Sequence, residues 1–267
     1  MKNILENYGT IIYETVNTNV INVKSYGALG DGVTNDSTAV TQAFNASQSQ
    51  NKPLYFPAGT YFLNYLNLTA NENLEIFGEG TTIKGIMRDG DTILLGELVE
   101  ADIITGMNKS ELKNPGRFYS YKDTKIHDIN IFKKTTTNPG ENDFFLWLRP
   151  DGFQNLYVNK VKFYNNEQYN DNIRFVFSRT TTEQESTNGF NYIEITNNDI
   201  SKCSFGFRME SRIKSGIILN NIIHNLGNPG TYSSASGMLL GMTNDPYPAH
   251  GASDIFIENN KFYNSCF

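Results

Sequence analysis

The sequence predicts an all-β fold: a right-handed parallel β-helix (solenoid) sealed at its N-terminal end by an amphipathic capping helix. Three observations carry this expectation. Similar segments recur every twenty to forty residues through the second half of the chain. Each is built from runs of five to eight residues with period-two alternation, rich in Ile, Val, Phe and Tyr. Only Asp36 to Gln50 carries a convincing helical period.

Length and charge bound what such a chain does. Its 267 residues suffice for one large domain or two ordinary ones, and a solenoid uses the whole length as one unit. The net charge of −6 and pI near 5.2 argue against sequence-independent nucleic-acid binding, which needs basic patches. No stretch approaches eighteen apolar residues, so no membrane span is expected. The opening MKNILENYGTIIYETV has no unbroken apolar core and no small-residue cleavage site, so no signal peptide is expected.

Residues 1–19 are read as an N-terminal extension, 20–65 as the cap with the first strands, and 66–267 as the coils. In the cap, VINVK (20–24) alternates like a strand. Gly27, Gly30 and Gly32 permit tight turns, and Asn35 or Asp36 is placed to cap a helix. Ala39, Val40, Ala43, Phe44 and Ser47 then fall on one helical face. KPLYFPAGTYFLN follows as strand, turn and strand. A short helix laid across the end of a β-helix covers its exposed layer and unpaired edges.

The coils repeat a common unit. TKIHDINIFKK (124–134), LYVNKVKFYN (156–165), YIEITNNDISK (192–202), GIILNNIIHN (216–225) and DIFIENNKFYN (254–264) stack with Ile131, Phe163, Ile200, Ile223 and Phe262 at one position. Before the last four lie DFFLWLR (143–149), NIRFVFS (172–178), FGFRMES (205–211) and GMLLGMT (237–243). Each coil therefore reads strand, loop, strand, Asn bend, strand, loop. Asn pairs at 165–166, 197–198, 220–221 and 259–260 suit bends in the left-handed backbone region, and their side chains are expected to bond from coil to coil.

The stretch INVKSYGALGDGVTNDSTAVTQAF followed by LYFPAGTYFL resembles the N-terminal cap of the pectate-lyase-like β-helix superfamily. It is most similar to the branch of rhamnogalacturonase-like and epimerase-like proteins and of bacteriophage tailspikes and appendages. The resemblance is close over residues 20–65 and rests on coil pattern beyond them. It implies a right-handed β-helix, carbohydrate ligands and, in phage members, homotrimers on host surface polysaccharide. It does not fix the reaction. Three readings follow: a phage tailspike or depolymerase that cleaves polysaccharide as hydrolase or lyase; a non-catalytic glycan-binding appendage or fibre module; and a bacterial pectin- or rhamnogalacturonan-active enzyme. The first two place the protein on the virion, or outside the cell after lysis.

The longest loops flank the run at 143–149 and its equivalents, so that sheet is the expected groove. Alternation points Leu146, Leu148, Phe175, Phe177, Phe207, Met209, Leu240 and Met242 inward. It leaves Trp147, Val176, Arg208 and Gly241 in one outward row, and Arg149, Ser178, Glu210 and Thr243 in the next, with Arg174 one row earlier. Trp147 offers a face for a sugar ring, while Arg149, Arg174, Arg208 and His250 are the expected polar binding groups. Glycoside hydrolysis needs two carboxyl groups. Glu210 and Asp245 are the catalytic candidates, Asp245 standing two residues past the position stacked on Glu210; this spacing places their Cα atoms about 8 Å apart. Asp151 and Asp171 are in reserve, and the competing reading of Glu210 is a salt bridge to Arg208, Arg149 or Arg212. Arg212-Ile213-Lys214 matches a polygalacturonase tripeptide in the wrong order relative to His250-Gly251 and is read as chance.

His127 and His224 sit on strands or bends and are read as structural. No His, Cys and carboxylate cluster has metal-ligand spacing, and no cofactor is expected. Cys203 and Cys266 lie two coils apart, about 9.6 Å by strand spacing, beyond disulfide reach, so free thiols are expected. The final coil is expected to be truncated, without a cap.

Overall fold

The structure, a computed structural model, describes residues 19–63, 67–78, 117–133, 143–165, 173–179, 187–226, 236–241 and 251–263. It is a parallel β-helix. One sheet stacks six strands in chain order: Asn67–Ala70, Arg117–Ser120, Asp143–Leu148, Ile173–Arg179, Phe205–Glu210 and Ser236–Leu240. A twelve-stranded sheet forms the other sides of the coils, Asp31–Asn35 pairs with Thr60–Phe62 in the cap, and every strand pairing among the described residues is parallel. A strand that returns to its own sheet one coil later through a crossover gives the right-handed form.

The column chosen from the sequence exists. Ile131, Phe163, Ile200, Ile223 and Phe262 are successive register partners, and the first four are buried. A second inward column runs Ile76, Ile126, Val158, Ile195 and Ile218, all fully buried. Each such side chain contributes about 1.5–3 kcal/mol on burial. Aromatic rings bind the layers, Phe118 to Phe145 at 5.4 Å and Phe175 to Phe207 at 5.5 Å between centroids.

The Asn bend is built as expected. Asp128, Lys160, Asn197, Asn220 and Asn259 all have φ between 52° and 58°, and they occupy one coil position. The next position carries an internal ladder. The Asn198 backbone N–H and Nδ2 donate to Asn221 Oδ1 at 3.0 and 2.9 Å, and those of Asn221 donate to Asn260 Oδ1 at 3.0 and 2.8 Å. Outside it Asn220 donates to Asn197, and Asn197 to Asn159. The pair at 165–166 does not belong to this column, because Asn165 pairs with Lys133 at the far end of the same strand.

The helix Ser37–Gln50 turns Val40, Ala43, Phe44 and Ser47 inward, and Phe44 meets Phe118 at 6.0 Å. Two details of the cap differ from expectation. Residues 20–24 do not form one strand: after Ile21–Asn22 the chain enters a 3-10 turn, Val23–Tyr26, because Asn22 caps it by accepting from the Lys24 N–H. Asp36 occupies the cap position but its side chain does not cap the helix. It is buried and instead accepts the N–H groups of Leu29 and Gly30 at 2.7 and 3.1 Å, while Asn35 accepts from Ser37. Burial raises the Asp36 pKa against those two hydrogen bonds. Gly27, Gly30 and Gly32 all have positive φ, and a Cβ on Gly30 would stand 2.9 Å from the Tyr61 ring.

A candidate glycan-binding face

On the six-stranded sheet, strict alternation fails at one point per coil. Phe145 and Leu146 are both buried, as are Phe175 and Val176. The register pairs skip 145, 175, 206 and 237, so the ladder is interrupted there, and in the first two strands the skipped residue and the one after it both turn inward. Glycines hold that position at 206 and 237, where a Cβ on Gly206 would meet the Gly237 carbonyl at 2.8 Å.

The interruption shifts the parity of the expected rows. Val176 is inward, paired with Leu146 and Phe207, and Phe177 takes its place in register with Trp147 and Arg208, buried beneath the Arg174 guanidinium. The outward row is therefore Tyr119, Trp147, Phe177, Arg208 and Leu239, with Leu239 where Gly241 was expected. Ser178 is inward beside Leu148 and Met209, so it leaves the row of Glu210, which pairs with Arg179.

This row is a ladder of rings. Tyr119 and Trp147 lie 5.3 Å apart at 42°, and Trp147 and Phe177 5.8 Å apart at 46°. Guanidinium groups edge it. Arg149 lies 5.5 Å from the Trp147 ring and 6.0 Å from Tyr121. Arg174 lies 4.7 Å from Phe177 and 5.8 Å from Phe205, and Arg208 approaches the same Phe205 at 4.9 Å. Burial, reinforced by the Arg208 charge and opposed by Glu210, brings the Arg174 pKa down to about 10, which leaves it a cation at neutral pH.

Glu210 is nearly buried, and its Oε1 accepts from Nε and Nη2 of Arg208, both at 2.5 Å. The salt bridge weighed against catalysis in the sequence is thus present. Asp245, Asp171 and His250 lie outside the described residues. With Gly241 following Leu240 at the coil position of Glu210, Asp245 stands four residues past it rather than two, and the 8 Å separation loses its basis. Asp151 is exposed and pairs with Lys122 at 3.4 Å. In the tripeptide 212–214, Ile213 is buried and Lys214 sits over Phe153. Cys203 is a buried free thiol, with its pKa raised by desolvation; Cys266 lies outside the described residues.

The sequence reading overlooked the outer face of the twelve-stranded sheet. His127 donates or accepts through both ring nitrogens, to Glu75 at 3.1 Å and Asp128 at 2.8 Å, and stacks on Phe77 at 5.1 Å. Beside it lies a groove of about 360 Å³ lined by Lys125, Ile126, His127, Tyr157, Asn159 and Glu194. His224 is held by Asp199 and stacked on Tyr263.

Comparison with known proteins places this architecture. The family model described as "Rhamnogalacturonase A/epimerase, pectate lyase-like" matches residues 20–244, and the chain belongs to that family of carbohydrate-active β-helix proteins. A glucan 1,3-beta-glucosidase of Cochliobolus carbonum is 48% identical over 50 residues, 18% of this chain and 6% of that protein. The solved structure of ORF18 of Geobacillus virus E2 aligns with 94% of this chain and 62% of its own, at 14% identity and a TM-score of 0.26. The chain thus spans a small fraction of the first relative and under two thirds of the second.

Proposed function

We propose that the chain is the polysaccharide-recognising β-helix of a phage tailspike- or depolymerase-type protein, and that it grips an acidic host surface glycan along Tyr119 and Trp147, with the buried Phe177 supporting them. The observation that carries this reading is the ring ladder with arginines along its edge. Pyranose rings stack on aromatic faces, and guanidinium groups match sugar carboxylates in fork geometry. In this reading the protein acts on the virion or after lysis, as a homotrimer.

Cleavage is the second part of the proposal, with Glu210 and Asp245 as its carboxyl groups. A non-catalytic appendage is the second reading, favoured by one observation: Arg208 already occupies Glu210 Oε1. Incubating the full-length protein with purified acidic surface polysaccharide decides between them. Oligosaccharide products that vanish with Glu210→Gln and with Asp245→Asn support cleavage. Tight binding without products supports the appendage. Loss of neither binding nor products in Trp147→Ala removes the proposed face.

A further inference from the structure

We propose a second saccharide site on the outer face of the twelve-stranded sheet, in the groove around Tyr157, that takes a neutral pyranose. It rests on the reading of the chain as a glycan binder but involves none of the residues of the Trp147 face.

The groove joins three properties. Its volume of about 360 Å³ lies within the range of small-ligand sites. Tyr157 supplies an aromatic platform, half exposed and 5.9 Å from the Tyr192 ring. Polar groups converge on that platform from three coils, because Lys125, Tyr157 and Glu194 are successive register partners, as are His127 and Asn159. The only hydrogen bond described for the Glu194 carboxylate comes from Thr196, at 3.5 Å, which leaves acceptor capacity for sugar hydroxyls.

Charge sets the class of ligand. Lys125, His127 and Lys160 stand against Glu75, Asp128 and Glu194, three cations when His127 is protonated against three carboxylates. His127 spends both ring nitrogens on Glu75 and Asp128, and Lys125 lies 3.8 Å from Glu75 and 5.7 Å from the Tyr157 ring. The site thus offers an acidic sugar no surplus positive charge, whereas the Trp147 face presents Arg149, Arg174 and Arg208 around one described carboxylate, Glu210. A neutral ring stacked on Tyr157, with hydroxyls bonded to Glu194 and Asn159, satisfies the groove.

Calorimetric titration of the 267-residue chain with neutral trisaccharides of glucose, galactose, mannose and rhamnose, and separately with trigalacturonate, tests this. A neutral trisaccharide is expected to bind. Tyr157→Ala should weaken it about tenfold, the loss of one ring contact. Glu194→Gln should weaken it in the same direction, and both variants should bind trigalacturonate as the parent does. Trp147→Ala should do the reverse. The site is wrong if no neutral trisaccharide binds, if both groove variants bind it unchanged, or if Trp147→Ala abolishes it. Loss of trigalacturonate binding alone would instead strike the reading of the Trp147 face. Melting curves of each variant separate lost binding from lost folding.

Discussion

Arg208 lays both Nε and Nη2 on the single oxygen Oε1 of Glu210, two residues along the same strand, and this contact fixes the guanidinium beside Phe205. Removing either partner should therefore cost nearly the same glycan affinity. In a double-mutant cycle, Glu210→Gln and Arg208→Ala are expected to be non-additive by about 0.5–3 kcal/mol. Strict additivity in calorimetric binding would show that the carboxylate acts apart from the arginine.

Trp147 is half-buried at the middle of the ring ladder, so truncating it removes binding surface as well as packing. Trp147→Ala should weaken acidic-glycan binding about tenfold while shifting the melting temperature by only a few degrees. A large fall in melting temperature with unchanged affinity would make the ring a packing element.

Asn221 carries a different burden. It is fully buried, its Oδ1 serves the coil before it, and its Nδ2 donates to Asn260 and to the Ile195 carbonyl at 2.8 Å. Asn221→Ala leaves the Asn198 N–H without a partner. Each buried group so stranded costs about 1–3 kcal/mol, and denaturant unfolding should report a loss of that size. Asn220→Gly, on the exposed outer ladder, keeps the left-handed backbone accessible and should cost a small fraction of it.

The His127 cluster predicts a pH window. Burial disfavours the charged ring, but the hydrogen bonds to Glu75 and Asp128 outweigh it, and the His127 pKa is raised above 6.5. Its contribution to stability is full below 6.5 and is lost as pH rises through the folded value. The His127 hydrogen bond lowers Glu75 below 4.5 against burial, so that contribution is present above 4.5 and is lost as pH falls through the folded value. The pair is worth most between about 4.5 and 6.5. His127→Gln should flatten the decline in melting temperature above that window. An unchanged profile in the variant would detach this cluster from pH-dependent stability.

The sequence carried the coil geometry well and the ligand face only in part, for a physical reason. Ile131, Phe163, Ile200, Ile223 and Phe262 are aligned by a bend of constant length, so their equivalence survives loops of any size between them. Phe177 is buried as expected, but it stands in register with Trp147 and Arg208 because Phe175 and Val176 are both apolar and both turn inward. Period-two counting from either end of such a strand gives opposite answers across the interruption, and nothing local marks it. Trp147, Arg149, Arg174 and Arg208 do gather on one face, but the rings that join them, Tyr119 and Phe177, become visible only with the register. Glu75 and His127 meet across 52 residues, and no spacing rule reaches that far.

The two-residue asparagine corner has an evolutionary consequence. Intervals between equivalent core positions in the last coils, 37, 23 and 39 residues, differ only through the other corners, while Asn197–Asn198, Asn220–Asn221 and Asn259–Asn260 never change length. That corner works as a clamped spine. Loops hung on the other corners can lengthen or shorten without altering the rise from one coil to the next, so the ligand-facing rim can be remodelled while the scaffold stays the same.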